Sequence, residues 1–281
     1  KKRGGIFGDS MTQAIQVNDD KTFTYLLDEM LDKYEVINFG VSGYGTYQNY
    51  LMYEIIGKKL DLDIVIVAFA FNDIFDNSLK LQKAEGQSKI EISKRPFIDF
   101  SDTVEVKTLP KEVIEKKTIK AKLSETFYFY NFLREVKNLI IEVYWPLLSD
   151  KRLKVTMLKR DEMRKAFFER FKEKEYIEAW ELTEKILEKF KKSVSKNNSQ
   201  LHIVSMPIEP IDENNTDMSI FDIKLKEISK NVDLNFLPLE PCFINFKKKN
   251  DIDHFHFEYD FHFSEIGHRV AANCLYENLL K

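Results

Sequence analysis

Gly4-Gly5-Ile6-Phe7-Gly8-Asp9-Ser10-Met11-Thr12-Gln13 is a short apolar run that stops at a Gly-Asp-Ser turn and passes into a helix-like segment. It reads as a first β-strand carrying Ser10 to the tight turn at its C-terminal end. In open parallel α/β sheets that edge is where ligands bind. Gly8 lets the backbone bend, and the first N–H groups of the next helix are left to meet developing negative charge. Asp9 reads as the residue that pins the turn. Gly-Asp-Ser is also a common turn sequence, so these three residues alone carry little weight.

Working outward, residues 22–33 carry Phe23, Leu26, Leu27, Met30 and Leu31 at helical spacing. Tyr34–Gly40 is a β-branched and apolar second strand that ends in the glycine-rich Val41-Ser42-Gly43-Tyr44-Gly45. Residues 46–60 predict a helix with Tyr50, Leu51, Ile55 and Ile56 on its buried side. Leu62–Phe71 is almost continuously hydrophobic, as a central parallel strand buried on both faces must be, and it ends at Asn72-Asp73. This strand–helix alternation predicts a parallel sheet with right-handed crossovers. It brings Ser10, Gly43 and Asn72 to one edge.

The rhythm then breaks. Residues 77–160 read as an insertion, either a cap over the site or an interaction element, with short strands at 89–92 and 103–107. Within it, 121–148 carries an apolar and aromatic stripe every three or four residues. Residues 161–196 read as the crossover helix back to the sheet, 200–207 as strand four, 219–231 as a helix and 234–239 as a short fifth strand. Residues 240–258 read as loop. Ser264 is a natural N-cap for a terminal helix with Ile266, Val270, Cys274 and Leu275 facing inward.

Composition bounds the function. The chain has 281 residues, 43% hydrophobic and 32% charged, with a net charge of −3. Lysines and acids are interleaved, with no basic block to suggest a nucleic-acid surface, and no nucleic-acid partner is expected. No apolar stretch reaches transmembrane length. Cys242 and Cys274 lie far apart without metal-ligand spacing and read as two ordinary thiols, with a disulfide left open but not indicated. The chain opens on Lys1-Lys2-Arg3 directly before a strand, without an initiator Met. The expectation is a form whose natural N-terminus lies upstream, with a lean towards an extracytoplasmic or membrane-anchored protein. No pattern in the sequence speaks to oligomeric state.

A serine hydroxyl needs a base, and the base needs a partner that fixes its tautomer. Of five histidines, His202 reads as a packed, hydrogen-bonded core residue of strand four, and His268 as a capping or packing residue. His254-Phe255-His256 has spacing that suits a metal, but no further ligand cluster accompanies it. His262 follows Asp260 by two residues at a loop-to-helix junction, where the carboxylate can orient the ring from behind.

Read in order, Gly8-Asp9-Ser10, Asn38 to Gly43, Ala70-Phe71-Asn72-Asp73 and Asp260-Phe261-His262 resemble the four blocks of the SGNH (GDSL-type) hydrolase superfamily. The resemblance covers about 1–76 and 197–281. It implies one α/β domain spanning 1–281, three-layer and flavodoxin-like, with roughly five parallel strands and a largely helical insertion. It implies Ser10 as nucleophile and His262 as general base, oriented by Asp260. The oxyanion hole would be the N–H groups of Ser10 and Gly43 with the Asn72 amide. No metal or organic cofactor is implied. Two positions depart from the family pattern. Ala70 replaces a glycine, which is tolerable if φ stays negative, and Asp260 stands two residues before the histidine rather than three.

The implied chemistry is hydrolysis of a small-molecule, carbohydrate or lipid ester through an acyl-enzyme. Carbohydrate O-acetyl transfer or deacetylation would use the same residues. A non-catalytic binding module, with Phe127, Tyr128, Phe129, Tyr130 and Trp145 as its partner surface, is the reading from another class.

Overall fold

A computed structural model of the chain describes residues 1–84, 96–99, 105–107, 169–207, 211, 219–250, 252, 254–257, 260 and 262–280. Its centre is a five-stranded, all-parallel sheet. In chain order the strands are β1 (Lys2–Gly8), β2 (Tyr34–Gly40) and β3 (Ile64–Phe69), the short β4 (Phe97–Asp99) and β5 (Glu105–Lys107), then β6 (Gln200–Ser205) and β7 (Asn235–Pro238). The sheet order is β2-β1-β3-β6-β7, while β4 and β5 form a separate antiparallel pair. Among sheet strands alone this is the doubly wound order 2-1-3-4-5, whose switch point lies between β1 and β3.

The helices are α1 (Ser10–Gln13), α2 (Phe23–Met30), α3 (Thr46–Ile55), α4 (Asp73–Asn77), α5 (Leu79–Ala84), α6 (Lys174–Lys196), α7 (Ile220–Val232), α8 (Glu240–Lys249) and α9 (Glu265–Leu275). Strand alternation sorts them into two layers. Val65, Val67 and Phe69 of β3 pack with α3, α6 and α7, whereas Ile64, Ile66 and Ala68 pack with α2, α8 and α9. Every residue of β3 is buried, as its unbroken hydrophobicity predicts. Among the described residues no helix is long and apolar enough to cross a membrane.

Four expectations need correction. The buried side of α3 is Tyr47, Tyr50 and Tyr53, not the side ending in Ile55 and Ile56, which are 61% and 44% exposed. The tyrosines close on Phe190 of α6, with Tyr50 at 5.6 Å and Tyr53 at 5.4 Å, while the isoleucines fall where the chain leaves the helix. Residues 240–249 form helix α8 rather than loop. Only Phe243 of α8 is fully buried, so it has little hydrophobic period. Pro241 fits its first turn, and Lys247, Lys248 and Lys249 suit the negative end of its dipole. Cys242 and Cys274 form a disulfide, because α8 and α9 pack with the two Cα atoms 6.0 Å apart. His202 is packed as expected, but neither ring nitrogen bonds to a described residue.

The stripe at 121–148, the strand expected at 89–92 and residues 161–168 lie outside the described residues. Of the strand expected at 103–107, Glu105–Lys107 is described as β5.

Candidate active site

The site forms at the C-terminal ends of β1, β2 and β3, whose register aligns Gly8 with both Gly40 and Ala68. Asp9 caps α1, with Oδ1 accepting the Met11 N–H at 2.9 Å, and Ser10 follows as the first helical residue. The loop after β2 is strapped to this turn. The Val41 N–H donates to Gly8 O at 3.0 Å and the Ser42 N–H to Gln13 Oε1 at 2.9 Å. Asn38 ties the two segments together, donating to Thr12 O at 2.9 Å and accepting from the Gly40 N–H at 2.8 Å. Gly43 turns the loop at φ 76°, a conformation that disfavours any side chain. Neither the Ser10 nor the Gly43 N–H has a partner among the described residues.

Asn72 enters from the end of β3. Its Nδ2 donates to Asp9 Oδ2 at 3.0 Å and to Asp76 Oδ2 at 2.9 Å, so two carboxylates take both amide hydrogens. Ala70 is absent from the positive-φ residues, so alanine is accommodated there. Asp73 lies buried beneath, accepting the Thr46 hydroxyl and the Ala70 N–H, each at 2.8 Å. Burial pushes the Asp9 carboxyl up, against the pull of its hydrogen bonds from Met11 and Asn72 and of the His262 charge. Burial, with the neighbouring Asp9 charge, pushes Asp73 well above the ordinary range.

His262 comes from the turn before α9. The Phe257 N–H donates to His262 O at 3.0 Å and the Ser264 N–H to Phe255 O at 2.8 Å, while Ser264 caps α9. Asp260 Oδ1 accepts both the His262 backbone N–H, at 3.2 Å, and its ring Nδ1–H. That pairing assigns the ring proton to Nδ1 and leaves Nε2 as the basic nitrogen. The two-residue spacing therefore still joins the carboxylate to the ring. The charge of His262 is among those that act on Asp9, the neighbour of Ser10.

The structure thus brings the first three sequence blocks to one edge of the sheet and joins Asp260 to His262 within the fourth. Asp76 is the residue that the sequence reading missed, and its position four residues beyond Asn72, on α4, was the available signal. His268 packs against Phe23, and His256 pairs in a β-bridge with Phe263. Among the described residues no group of three or more His, Cys, Asp or Glu is arranged to hold a metal.

Neither family models nor curated proteins match this sequence. Solved structures do match over the full length. The acetyl xylan esterase AlAXEase superposes with a TM-score of 0.52 at 16% identity, covering 99% of this chain and 100% of its own. A variant of Axe2, an acetyl-xylooligosaccharide esterase from Geobacillus Stearmophilus, gives 0.51 at 12% identity, covering 100% and 94%. A GDSL-like protein of Parabacteroides merdae gives 0.50 at 13%, covering 98% and 94%. At such identities the likeness is one of fold alone: this chain has an α/β fold like that of the SGNH (GDSL-type) hydrolases.

Proposed function

We propose that the protein is a serine esterase working through an acyl-enzyme on Ser10. The observation that carries this is the Asp260–His262 pair, which leaves Nε2 as the basic nitrogen, together with a Ser10 N–H that has no partner among the described residues. In the reaction, His262 Nε2 takes the Ser10 hydroxyl proton as Oγ attacks the ester carbonyl carbon. The tetrahedral oxyanion accepts from the N–H groups of Ser10 and Gly43. The Asn72 amide joins them by exchanging one carboxylate partner for the oxyanion. Collapse expels the alcohol, protonated by His262. The same base then activates water to release the acid.

The comparisons favour acetylated carbohydrates as the substrate class, since two of the neighbours are acetyl esterases of xylan or xylo-oligosaccharides. A sugar hydroxyl in place of water would make the enzyme an O-acetyltransferase. Free acetate and acetylated acceptor, measured with one donor, separate the two.

A fluorophosphonate probe with mass mapping of the labelled peptide tests the reading. Label on Ser10 that disappears in His262→Ala is the expected result. Ser10→Ala should abolish ester turnover and His262→Ala should come close to it, because such residues act as a unit. Turnover retained in Ser10→Ala overturns the mechanism. A folded protein that takes no label favours the binding module.

A further inference from the structure

A cavity lies away from this site. It has a volume of about 650 Å³ and is walled by α3, the residues after it, and α6. Five lysines line it: Lys58, Lys185, Lys189, Lys192 and Lys196. The four from α6 recur at intervals of four, three and four, and so share one helical face.

Only two carboxylates line the same cavity, and both are engaged. Glu54 accepts from Lys58 Nζ at 2.6 Å, from the Ser193 hydroxyl and from Tyr50. Burial first, and Glu54 next, push the Tyr50 hydroxyl up to about 12, so it stays a donor. Glu188 pairs with Lys192 at 2.6 Å. Lys189 lies over the Tyr50 ring at 5.6 Å, and neither Lys189 nor Lys196 pairs with a carboxylate among the described residues. Lys58 and Lys192 are matched by these two glutamates, which leaves the ammonium groups of Lys189 and Lys196 uncompensated in one concavity among the described residues, on a chain whose net charge is −3. Like charges held this close repel, and a ligand of opposite sign relieves the repulsion.

We propose that this cleft is a binding site for a multiply charged anion of the phosphate class. Ammonium groups act as point charges and suit phosphate oxygens. The volume falls within the range of small-ligand pockets. The cleft lies at the opposite end of the sheet from Ser10: β6 begins just beyond the C-terminus of α6, and the Gln200 N–H donates to Asp63 O, just before β3. The proposal therefore stands apart from the esterase reading.

Sodium tripolyphosphate is the soluble probe, titrated calorimetrically at low ionic strength. Phosphatidylcholine vesicles with a minority of phosphatidylglycerol, in a sedimentation assay, are the lipid probe. The test variant is Lys189→Glu/Lys196→Glu. Its control is Lys248→Glu/Lys249→Glu on α8, in the other helical layer, which changes the net charge equally. The cleft variant should weaken binding on the order of tenfold or more, because each substitution turns an attraction into a repulsion, while the control changes it far less. Cleft-dependent binding of tripolyphosphate identifies a free phosphate ester as the source. Cleft-dependent binding of vesicles alone identifies a lipid headgroup. Binding of neither probe by the parent protein, or equal loss in the control variant, overturns the proposal.

Discussion

Nδ1 of His268 accepts the Phe23 N–H at 3.3 Å, so the ring's own proton sits on Nε2. The ring is 1% exposed and stacks on Phe23. Burial, then the nearby His256 and His262, pull it from 6.5 down to about 4. A base that binds its proton more weakly when folded contributes stability above its unfolded value of 6.5, and that stability is lost as pH falls towards 4. The span corresponds to about 3 kcal/mol. Asp9 and Asp73, with raised values, work in the opposite direction. Their protonation on acidification favours the folded state, so the comparison must be differential. The stability gap between the parent and His268→Gln should shrink by about 3 kcal/mol from pH 7 to pH 4. A constant gap would falsify the assignment. Asn72 gives a second test at this scale. If its amide reaches the oxyanion, Asn72→Ala lowers kcat on the order of 100–1,000-fold. Melting must be followed in parallel, because the change also strips a donor from Asp9 and Asp76. A loss below about tenfold in folded protein would leave the amide with its two carboxylates as a structural bridge. The sequence motif marks Asn72 but not this choice, because the deciding partner, Asp76, lies outside the motif and becomes a neighbour only once α4 forms.

Elements carried by strong hydrophobic period were legible before folding. β3 and α6 are examples, and so is the edge that gathers Ser10, Gly43 and Asn72. What stayed hidden lacked a period of its own. Helix α8 buries one residue fully and ends in three lysines, so nothing local distinguishes it from loop. The α8–α9 disulfide, between cysteines 32 residues apart, follows from tertiary packing alone. That bridge has a calculable consequence. In the chain-entropy account, closing a loop of this length contributes about 3–4 kcal/mol, so Cys242→Ser/Cys274→Ser should lower Tm on the order of 10 °C. The turn that carries His262 gives a sharper test. A Cβ on Gly267 would lie 2.3 Å from Phe255 O, and backbone there cannot yield without moving the segment whose Phe257 N–H holds His262 O. Gly267→Ala should therefore lower kcat for ester turnover while the Ser10 turn stays intact. Unchanged kcat would show that the base tolerates displacement of its support.

At the scale of the whole molecule, the sheet separates two cores, and the candidate site draws on them unequally. Ser10, Gly43 and Asn72 hang from strand ends shared by both layers, whereas His262 depends on the layer of α8 and α9. In that layer Phe243 packs against Phe255 at 4.9 Å and Phe263 at 5.2 Å, residues on either side of the Asp260–His262 turn. On the other face Phe190 sits among Phe7, Tyr50 and Tyr53. Both side chains are fully buried, so truncating either one to alanine should cost about 3–5 kcal/mol. Their effects on turnover should differ. Phe243→Ala should lower kcat at temperatures where the variant is fully folded, because Phe255 and Phe263, which flank His262, lose their backing. Phe190→Ala should lower Tm by a similar amount and leave kcat within about twofold of the parent. Melting curves paired with ester kinetics well below Tm decide the matter. Equal loss of kcat in both variants would mean that the sheet transmits packing changes across its two faces, and the base would then be held by the whole molecule rather than by one layer.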